Sequence, residues 1–215
     1  MGFFGLLVLL VSKTAFASVI PASKHETLRL GIRYVVYVPA DQPLSPVETS
    51  NTKLQELFKG INSIWASCGI AFEPQFVVAE AEHSPRQNRA PAALGELFKI
   101  RRELKQENSM LIAVTKPWDR KESLGKTGAN AWTAMPGTED HGIVVEWPER
   151  WNSNLLAHEL GHYLGLDHRE KRSELMAPVI YRDSTGLSAE ECTAARHTAS
   201  AYWKKMIRNH TQIAG

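Results

Sequence analysis

Three histidines and one glutamate are concentrated in residues 158–168, whose sequence is HELGHYLGLDH. Imidazole nitrogens bind zinc, and a carboxylate beside such a site can take a proton from water. His158 and His162 are four residues apart, and the leucines around them recur at helical spacing. At this spacing two side chains lie on one face of a helix, with Cβ atoms about 5 to 6 Å apart. The pattern therefore predicts that both imidazoles bind one ion.

The third histidine, His168, would point away from that face if the helix continued. Gly165 lies between His162 and His168, and glycine readily adopts the positive φ that ends a helix. We therefore expect the chain to turn back near Gly165, so that His168 completes a set of three ligands. Three protein ligands and one open position are typical of catalytic zinc, whereas structural zinc usually has four protein ligands.

Glu159 follows the first ligand and cannot share its direction, so we assign it to water at the ion. Zinc lowers the pKa of its bound water toward about 7, and Glu159 would then act as general base and afterwards as general acid. An ordinary amphipathic helix with buried histidines is the alternative. At this composition, however, the arrangement of His, Glu and Gly arises by chance with a probability on the order of 10⁻⁴.

The stretch HELGHYLGLDH resembles the extended zinc signature of the metzincin metalloproteases, most closely that of the matrixins. Met176 is similar in position to the methionine of the family's Met-turn, although methionine alone more often fills a core. The resemblance implies an α+β fold with a mixed, twisted sheet of about five strands and packed helices. The zinc helix and the Met-turn would lie below the active-site cleft, with Met176 beneath the imidazoles.

The same resemblance implies a secreted endopeptidase that uses one catalytic Zn²⁺ ion to hydrolyse a peptide or protein substrate. A secreted zinc-binding module without activity, or a zinc hydrolase of a non-peptide amide, are the alternatives. Residues 179–186 would form a wall of the pocket for the residue after the scissile bond. Tyr181 is either part of that wall or a group that binds the substrate's carbonyl oxygen. Carried over by position, an edge strand would pair with the substrate through Gly128, Ala129, Asn130, Ala131 and Trp132, although a glycine-rich loop without function has the same composition.

The 215 residues are 43% hydrophobic and 22% charged, with a net charge of +2. This length and balance predict one domain with a sizeable core. Such a small net charge gives no reason to expect nucleic acid or an anionic membrane as a partner. We expect the domain to be a monomer.

The N-terminal segment has the pattern of a secretory signal peptide. An apolar run extends from Phe3 to Val11, and Ala15-Phe16-Ala17 follows as a small-x-small cleavage site. The run is too short to span a bilayer, so we expect no stable membrane insertion. The sequence thus predicts a signal peptide over residues 1–17 and a secreted or periplasmic domain over 18–215. An uncleaved anchor or a buried N-terminal strand is the alternative.

Periodicity and turn residues predict the elements that must position the site. A capping box of Ser188 and Glu191 predicts the start of the last helix. The expected strands are 28–38, 70–79, 110–115, 125–135 and 142–147, and the expected helices are 51–66, 92–106, the zinc helix from Asn152 or Ser153, and 188–208.

The two cysteines, Cys68 and Cys192, follow one predicted helix and lie in the first turn of another. In the metzincin fold those helices pack on the same side of the sheet. The resemblance therefore implies that a disulfide is possible, which an oxidising compartment favours. Two buried thiols are the alternative.

Overall fold

The structure, a computed structural model, describes residues 26–38, 51–80, 91–134, 140–147 and 149–208. The predicted signal peptide, residues 1–17, lies outside these ranges, as does Met135 at the end of the predicted edge strand. None of the helices in the described ranges has the length and apolar character that crossing a membrane requires.

A mixed sheet of five strands forms the centre of the fold, in the order β2-β1-β3-β5-β4. The first four strands in this order run parallel, and β4 pairs with β5 in antiparallel fashion. This arrangement confirms the predicted mixed sheet and α+β class. The strands are β1 (Leu28–Val38), β2 (Ile70–Glu80), β3 (Met110–Thr115), β4 (Ala131–Ala134) and β5 (Gly142–Glu146).

Helices cover both faces of the sheet. One face packs against α1 (Asn51–Trp65), α3 (Ser153–Tyr163) and α4 (Ala189–Tyr202), which share the larger core cluster. The opposite face packs against α2 (Leu94–Leu104) in a smaller cluster. Every residue of β3 and β5 is buried, as expected for central strands that have apolar contacts on both faces.

The edge strand is shorter than the predicted 125–135. Residues Ser123–Lys126 instead form a 3₁₀ turn, and the strand begins at Ala131. The carbonyl oxygen of Arg120 lies where a Cβ on residue 125 would be, so this tight turn requires Gly125. Gly128 has a φ of 65°, which is incompatible with an extended strand. The glycines therefore make a turn before the strand.

The last helix also ends earlier than the predicted residue 208. It ends at Tyr202, and a 3₁₀ turn at Lys204–Met206 follows. The indole nitrogen of Trp203 donates a hydrogen bond to the carbonyl oxygen of Tyr163 at 2.9 Å, and both Trp203 and Met206 are buried. This packing against the core stabilises a turn at the point where a continuing helix would carry the chain away from the core.

Cys68 and Cys192 form a disulfide in the structure, with Cα atoms 4.7 Å apart. The bridge joins the 3₁₀ turn after α1, Ala66–Cys68, to the first turn of α4. The guanidinium of Arg196 reinforces this junction by donating to the carbonyl oxygens of Cys68 and Gly69 at 3.3 and 2.6 Å. The described part of the chain contains no free cysteine.

Candidate metal centre

Helix α3 carries two of the three histidines and begins with a side-chain cap. The Asn152 carboxamide oxygen accepts a hydrogen bond from the backbone N–H of Leu155 at 3.1 Å, which satisfies one of the free donors at the helix start. Leu156 and Leu160 on this helix are fully buried. The helix is therefore fixed against the core while its histidines face the cleft.

A glycine ends this helix, as the sequence predicts. Gly165 has a φ of 80°. Its N–H donates to the carbonyl oxygen of His162 at 2.9 Å, and the N–H of Leu166 donates to that of Gly161 at 2.9 Å. These two bonds define a Schellman motif, which turns the chain back toward the helix. The turn places His168 beside His162 although six residues separate them.

The three imidazoles converge on one point. Each of His158, His162 and His168 offers a ring nitrogen, and these nitrogens all lie within 4.8 Å of one another. The Nε2 atoms of His162 and His168 are 3.1 Å apart. In a tetrahedral zinc site with bonds of about 2.0 to 2.1 Å, neighbouring ligand nitrogens are about 3.3 Å apart. The residues therefore fit a zinc ion held by three imidazoles.

Backbone carbonyls fix the tautomers of two of these rings. Nδ1 of His158 lies 2.7 Å from the carbonyl oxygen of Leu175, and Nδ1 of His162 lies 2.8 Å from that of Leu166. A carbonyl oxygen only accepts hydrogen bonds, so each Nδ1 carries the proton and each Nε2 keeps its lone pair. This is the form in which imidazole binds a metal.

Burial further favours the neutral form of these rings. It lowers the pKa of His158 to about 4, and it also lowers the pKa of His162. Neutral imidazole is the metal-binding form. At neutral pH the protein therefore need not release a proton from His158 to bind an ion.

The predicted Met-turn packs directly under the zinc helix. Met176 is fully buried, and its sulfur lies where a Cβ on residue 161 would be, so the close approach requires Gly161. The residue before it, Leu175, provides the carbonyl that orients His158. The N–H of Arg169, which follows the third histidine, donates to the carbonyl oxygen of Met176 at 2.8 Å. The turn thus contacts the segments that carry all three histidines.

Glu159 lines the same cleft as the histidines and lies against β4, the edge strand of the sheet. It is 7% exposed, and burial raises the pKa of its carboxyl to about 7. The hydroxyl of Thr133 donates a hydrogen bond to its Oε2 atom and lowers that pKa in part. A carboxyl with a pKa near neutrality is suited to accept and return a proton.

Thr133 is a site residue that the sequence pattern does not reveal. It lies on β4, 26 residues before Glu159, and no motif links the two positions. The only sequence signal is its place in the alternating segment Ala131–Ala134. The alternation directs Thr133 to the face that carries the zinc helix, whereas Trp132 packs with the cluster on the opposite face.

A cleft of about 810 Å³ contains the three histidines and Glu159. All five residues predicted to bind substrate through the edge strand also line it. Leu155 and the segment Pro178–Ile180 form the facing side, as expected for part of the predicted pocket wall. The lining residues on the edge strand and the turn before it are Thr127, Gly128, Ala129, Asn130, Ala131, Trp132 and Thr133.

Tyr181 does not contribute to this lining. Its ring packs under the guanidinium of Arg172, 4.1 Å from the ring centroid, and its backbone N–H binds the hydroxyl of Ser184 at 2.9 Å. The buried Ser184 turns the wall segment so that Val179 and Ile180 face the cleft while Tyr181 lies outside it. Tyr181 is thus not among the residues that line the cleft, and a contact between Tyr181 and a substrate stays a prediction.

An ion pair fixes the rim of the cleft before β4. The guanidinium of Arg120 forms an ion pair with the buried carboxylate of Glu146. It also donates to the carbonyl oxygen of Ala129 at 2.7 Å and to the side-chain oxygen of Asn130 at 3.0 Å. The planar guanidinium can make these bonds at once because its donors have a fixed geometry. The rim is thereby held in place before any peptide binds.

A second arginine holds the strand itself from the opposite face. Arg101 on α2 is fully buried and donates to the carbonyl oxygens of Trp132 at 3.3 Å and Asp140 at 3.0 Å. Burial lowers its pKa to about 10, so it remains charged at neutral pH. Arg120 thus holds the turn before the edge strand, and Arg101 holds the strand at Trp132.

Comparison with known proteins agrees with this arrangement. Residues 104–197, slightly less than half of the chain, match the family model described as Matrixin. This segment includes the edge strand, the zinc helix and the Met-turn. No curated protein sequence matches the chain.

Two solved structures share the fold. Archaemetzincin from Methanopyrus kandleri is 16% identical, with a TM-score of 0.52 over 84% of this chain and 99% of that one. Metalloproteinase-II from Bacteroides fragilis is 14% identical, with a TM-score of 0.51 over 81% of this chain and 55% of that one. These matches confirm the predicted resemblance to the metzincins. Together with the family match, they support a zinc-dependent peptidase.

Proposed function

We propose that this metzincin-like protein is a secreted zinc-dependent endopeptidase in which Glu159 is the general base and acid. The observation that carries the proposal is the convergence of three imidazole nitrogens within 4.8 Å in a cleft that also contains Glu159. A binding module needs the imidazoles alone. A buried carboxylate beside them is costly unless it has a chemical task.

Zinc bound by His158, His162 and His168 would supply Lewis-acid chemistry, which acidifies a water molecule and polarises a carbonyl group. The Glu159 carboxylate would accept a proton from the attacking water and then deliver it to the nitrogen of the leaving amine. Thr133 holds this carboxylate through its Oε2 atom. The other oxygen remains available for the proton transfer.

The edge strand supports a peptide as the substrate. β4 is the last strand of the sheet, so its outer edge has backbone groups that can pair with an extended chain. The cleft follows this edge at residues 131–133 and continues along the turn before it, residues 127–130, so it can hold several residues of an extended chain at about 3.3 Å each. An extended peptide fits this shape better than a compact non-peptide amide.

Cleavage within a chain is supported by the charges of the cleft. No lysine or arginine is among the described residues that line it, so nothing there would bind the terminal carboxylate that a carboxypeptidase must recognise. Secretion is supported by the apolar N-terminal run and by the disulfide between Cys68 and Cys192, because disulfides persist in oxidising compartments.

Hydrolysis of an unfolded protein by the purified chain tests the proposal. Activity should disappear in a chelator and return with added zinc. Glu159→Gln should bind zinc with unchanged stoichiometry and lose turnover by about a thousandfold or more, because only the proton transfer is removed. Zinc binding without cleavage by the unaltered protein would favour the binding module instead. An unchanged rate in Glu159→Gln would remove Glu159 from the mechanism.

A further inference from the structure

One charged residue in the cleft is neither a metal ligand nor the proposed base. Glu149 precedes the zinc helix, in the 3₁₀ turn Glu149–Trp151, and its side chain lines the cleft with Asn152 and Leu155. Its Oε2 atom accepts a weak hydrogen bond from the Asn152 side chain at 3.4 Å. Among the described residues, no lysine or arginine forms an ion pair with it. The adjacent cation, Arg150, is buried with its guanidinium stacked 3.0 Å from the centroid of the Trp147 ring.

Asn152 contacts both the carboxylate and the backbone of Glu149. Its carboxamide oxygen is used in capping α3 through the N–H of Leu155, so its amide group is directed to Glu149. The backbone N–H of Asn152 also donates to the carbonyl oxygen of Glu149 at 2.9 Å. The residue that caps the zinc helix thus connects Glu149 to the helix that carries His158 and His162.

The directions of β4 and β5 determine which residues of a bound peptide lie near Glu149. β5 runs toward the end of the sheet where β4 begins, since Ala131 is paired with Val145 and the N–H of Glu146 donates to the carbonyl oxygen of Asn130. Glu149 follows that end of β5. A peptide antiparallel to β4 would run from Ala134 toward Ala131. Its residues after the scissile bond would therefore lie on the Glu149 side of Glu159.

Apolar side chains line the cleft together with Glu149. Leu155 comes from the zinc helix, and Val179 and Ile180 come from the wall segment after the Met-turn. Val179 is 60% exposed, so an apolar surface is available to a ligand. Lysine and arginine side chains have an apolar stem, which packs against apolar surface, and a charged end, which remains in water or pairs with an opposite charge. The site has this combination of surfaces.

We propose that Glu149 forms a subsite for a lysine or arginine side chain of the substrate, at a position after the scissile bond. This inference rests on the proposed peptidase function and names the substrate class that it prefers. The stem would pack between Leu155 and Val179, and the charged end would bind the Glu149 carboxylate. The subsite is open to solvent, so the preference weakens as the salt concentration rises.

Paired peptides test the subsite. Each pair contains lysine or its uncharged analogue norleucine at the first, second or third position after the scissile bond. At one of these positions, the zinc-loaded protein should show a kcat/KM about tenfold higher for lysine, the effect of about one charged hydrogen bond. Glu149→Gln should abolish this ratio, because it removes the negative charge that binds the lysine side chain. Glu149→Lys should reverse the preference toward glutamate.

Glu122→Gln is the matched control, because Glu122 is exposed and does not line the cleft. It should leave the lysine ratio unchanged. Binding of the same peptides to the inactive Glu159→Gln variant gives a second readout that does not depend on turnover. Equal cleavage of lysine and norleucine peptides at all three positions would overturn the subsite and leave the peptidase function intact. Absence of cleavage of any peptide would overturn both.

Discussion

The sulfur atom of Met176 lies against the backbone of Gly161, in the last turn of the zinc helix between His158 and His162. Only a residue without a Cβ permits this approach. The contact explains why the sequence requires glycine inside a helix, where glycine costs about 1 kcal/mol relative to alanine. The Met-turn and the zinc helix are therefore packed as one unit.

This contact predicts that Gly161→Ala has opposite effects on the free energy of unfolding in the original protein and in the Met176→Ala variant. Gly161→Ala should destabilise the protein, because overpacking costs about 1 to 3 kcal/mol and exceeds the gain of about 1 kcal/mol in helix propensity. In the Met176→Ala background the same substitution should stabilise it. Urea unfolding of the four proteins measures the coupling. Gly95→Ala is the control, since a Cβ there contacts nothing within 4 Å. If Gly161→Ala changed the free energy of unfolding in the same direction in both backgrounds, the result would contradict the contact between Met176 and Gly161.

The hydrogen bond from Thr133 to Glu159 predicts a loss of turnover without loss of binding. Thr133→Val keeps the shape of the side chain but removes the hydroxyl. A freely rotating carboxylate transfers the proton less efficiently, so we expect kcat to fall about tenfold to a hundredfold. KM should remain unchanged, because in the proposed complex the substrate pairs with the backbone of β4 and not with the Thr133 hydroxyl.

Thr133→Ser is the matched control for this experiment, because it retains the hydroxyl and loses only a methyl group. Its kcat should stay within about threefold of the original value. Zinc content, measured in the same preparations, should be equal in all three proteins. Equal kcat values for the Val and Ser variants would show that the hydroxyl has no role in catalysis.

The cluster of three histidines is predictable from sequence because its geometry is local. The four-residue spacing of His158 and His162 places them on one helix face, and Gly165 allows the turn that brings His168 beside them. The five strands follow from hydrophobic periodicity in the same way. These features depend on residues that are close together in the chain.

The supporting contacts are not predictable in this way. Thr133 and Glu159 are 26 residues apart, and Arg120 reaches Asn130 only after the turn at Gly125 has formed. The start of the edge strand was also misplaced, because glycine and alanine are compatible with both a strand and a turn. These features depend on which elements the fold brings together, and composition does not specify that.

The disulfide predicts that reduction lowers the stability of the folded protein. Cys68 and Cys192 are separated by 124 residues, and the bridge restricts a correspondingly long loop in the unfolded chain. Replacing both cysteines with serine should lower the free energy of unfolding by about 3 to 5 kcal/mol. Thermal unfolding of this variant and of the original protein, each with and without reductant, measures the loss. Reductant should have no effect on the serine variant. An equal melting temperature for all four samples would show that the disulfide does not form.

The ion pairs of Asp140 predict a stability difference that depends on pH. Its carboxylate accepts hydrogen bonds from Arg102 at 2.7 and 3.1 Å and from Lys105 at 3.3 Å, and the Arg102 bond is the main reason that its pKa lies below the ordinary value of 3.8. A carboxyl with a lowered pKa stabilises the folded state at pH values above its unfolded pKa. This contribution is lost as the pH falls through the folded pKa.

Asp140→Asn should therefore lower the urea midpoint at pH 6. The difference in urea midpoint between the variant and the original protein should shrink steadily below about pH 4. Midpoints measured from pH 3 to 7 give this curve. Asp183→Asn is the control, because Asp183 and its partner Arg172 have side chains that are 63% and 66% exposed, and exposed pairs contribute little. The backbone carbonyl oxygen of Asp140 also accepts a hydrogen bond from Arg101, which in addition holds the edge strand at Trp132. A constant difference across the whole pH range would show that Asp140 stabilises the fold by packing and not by its charge.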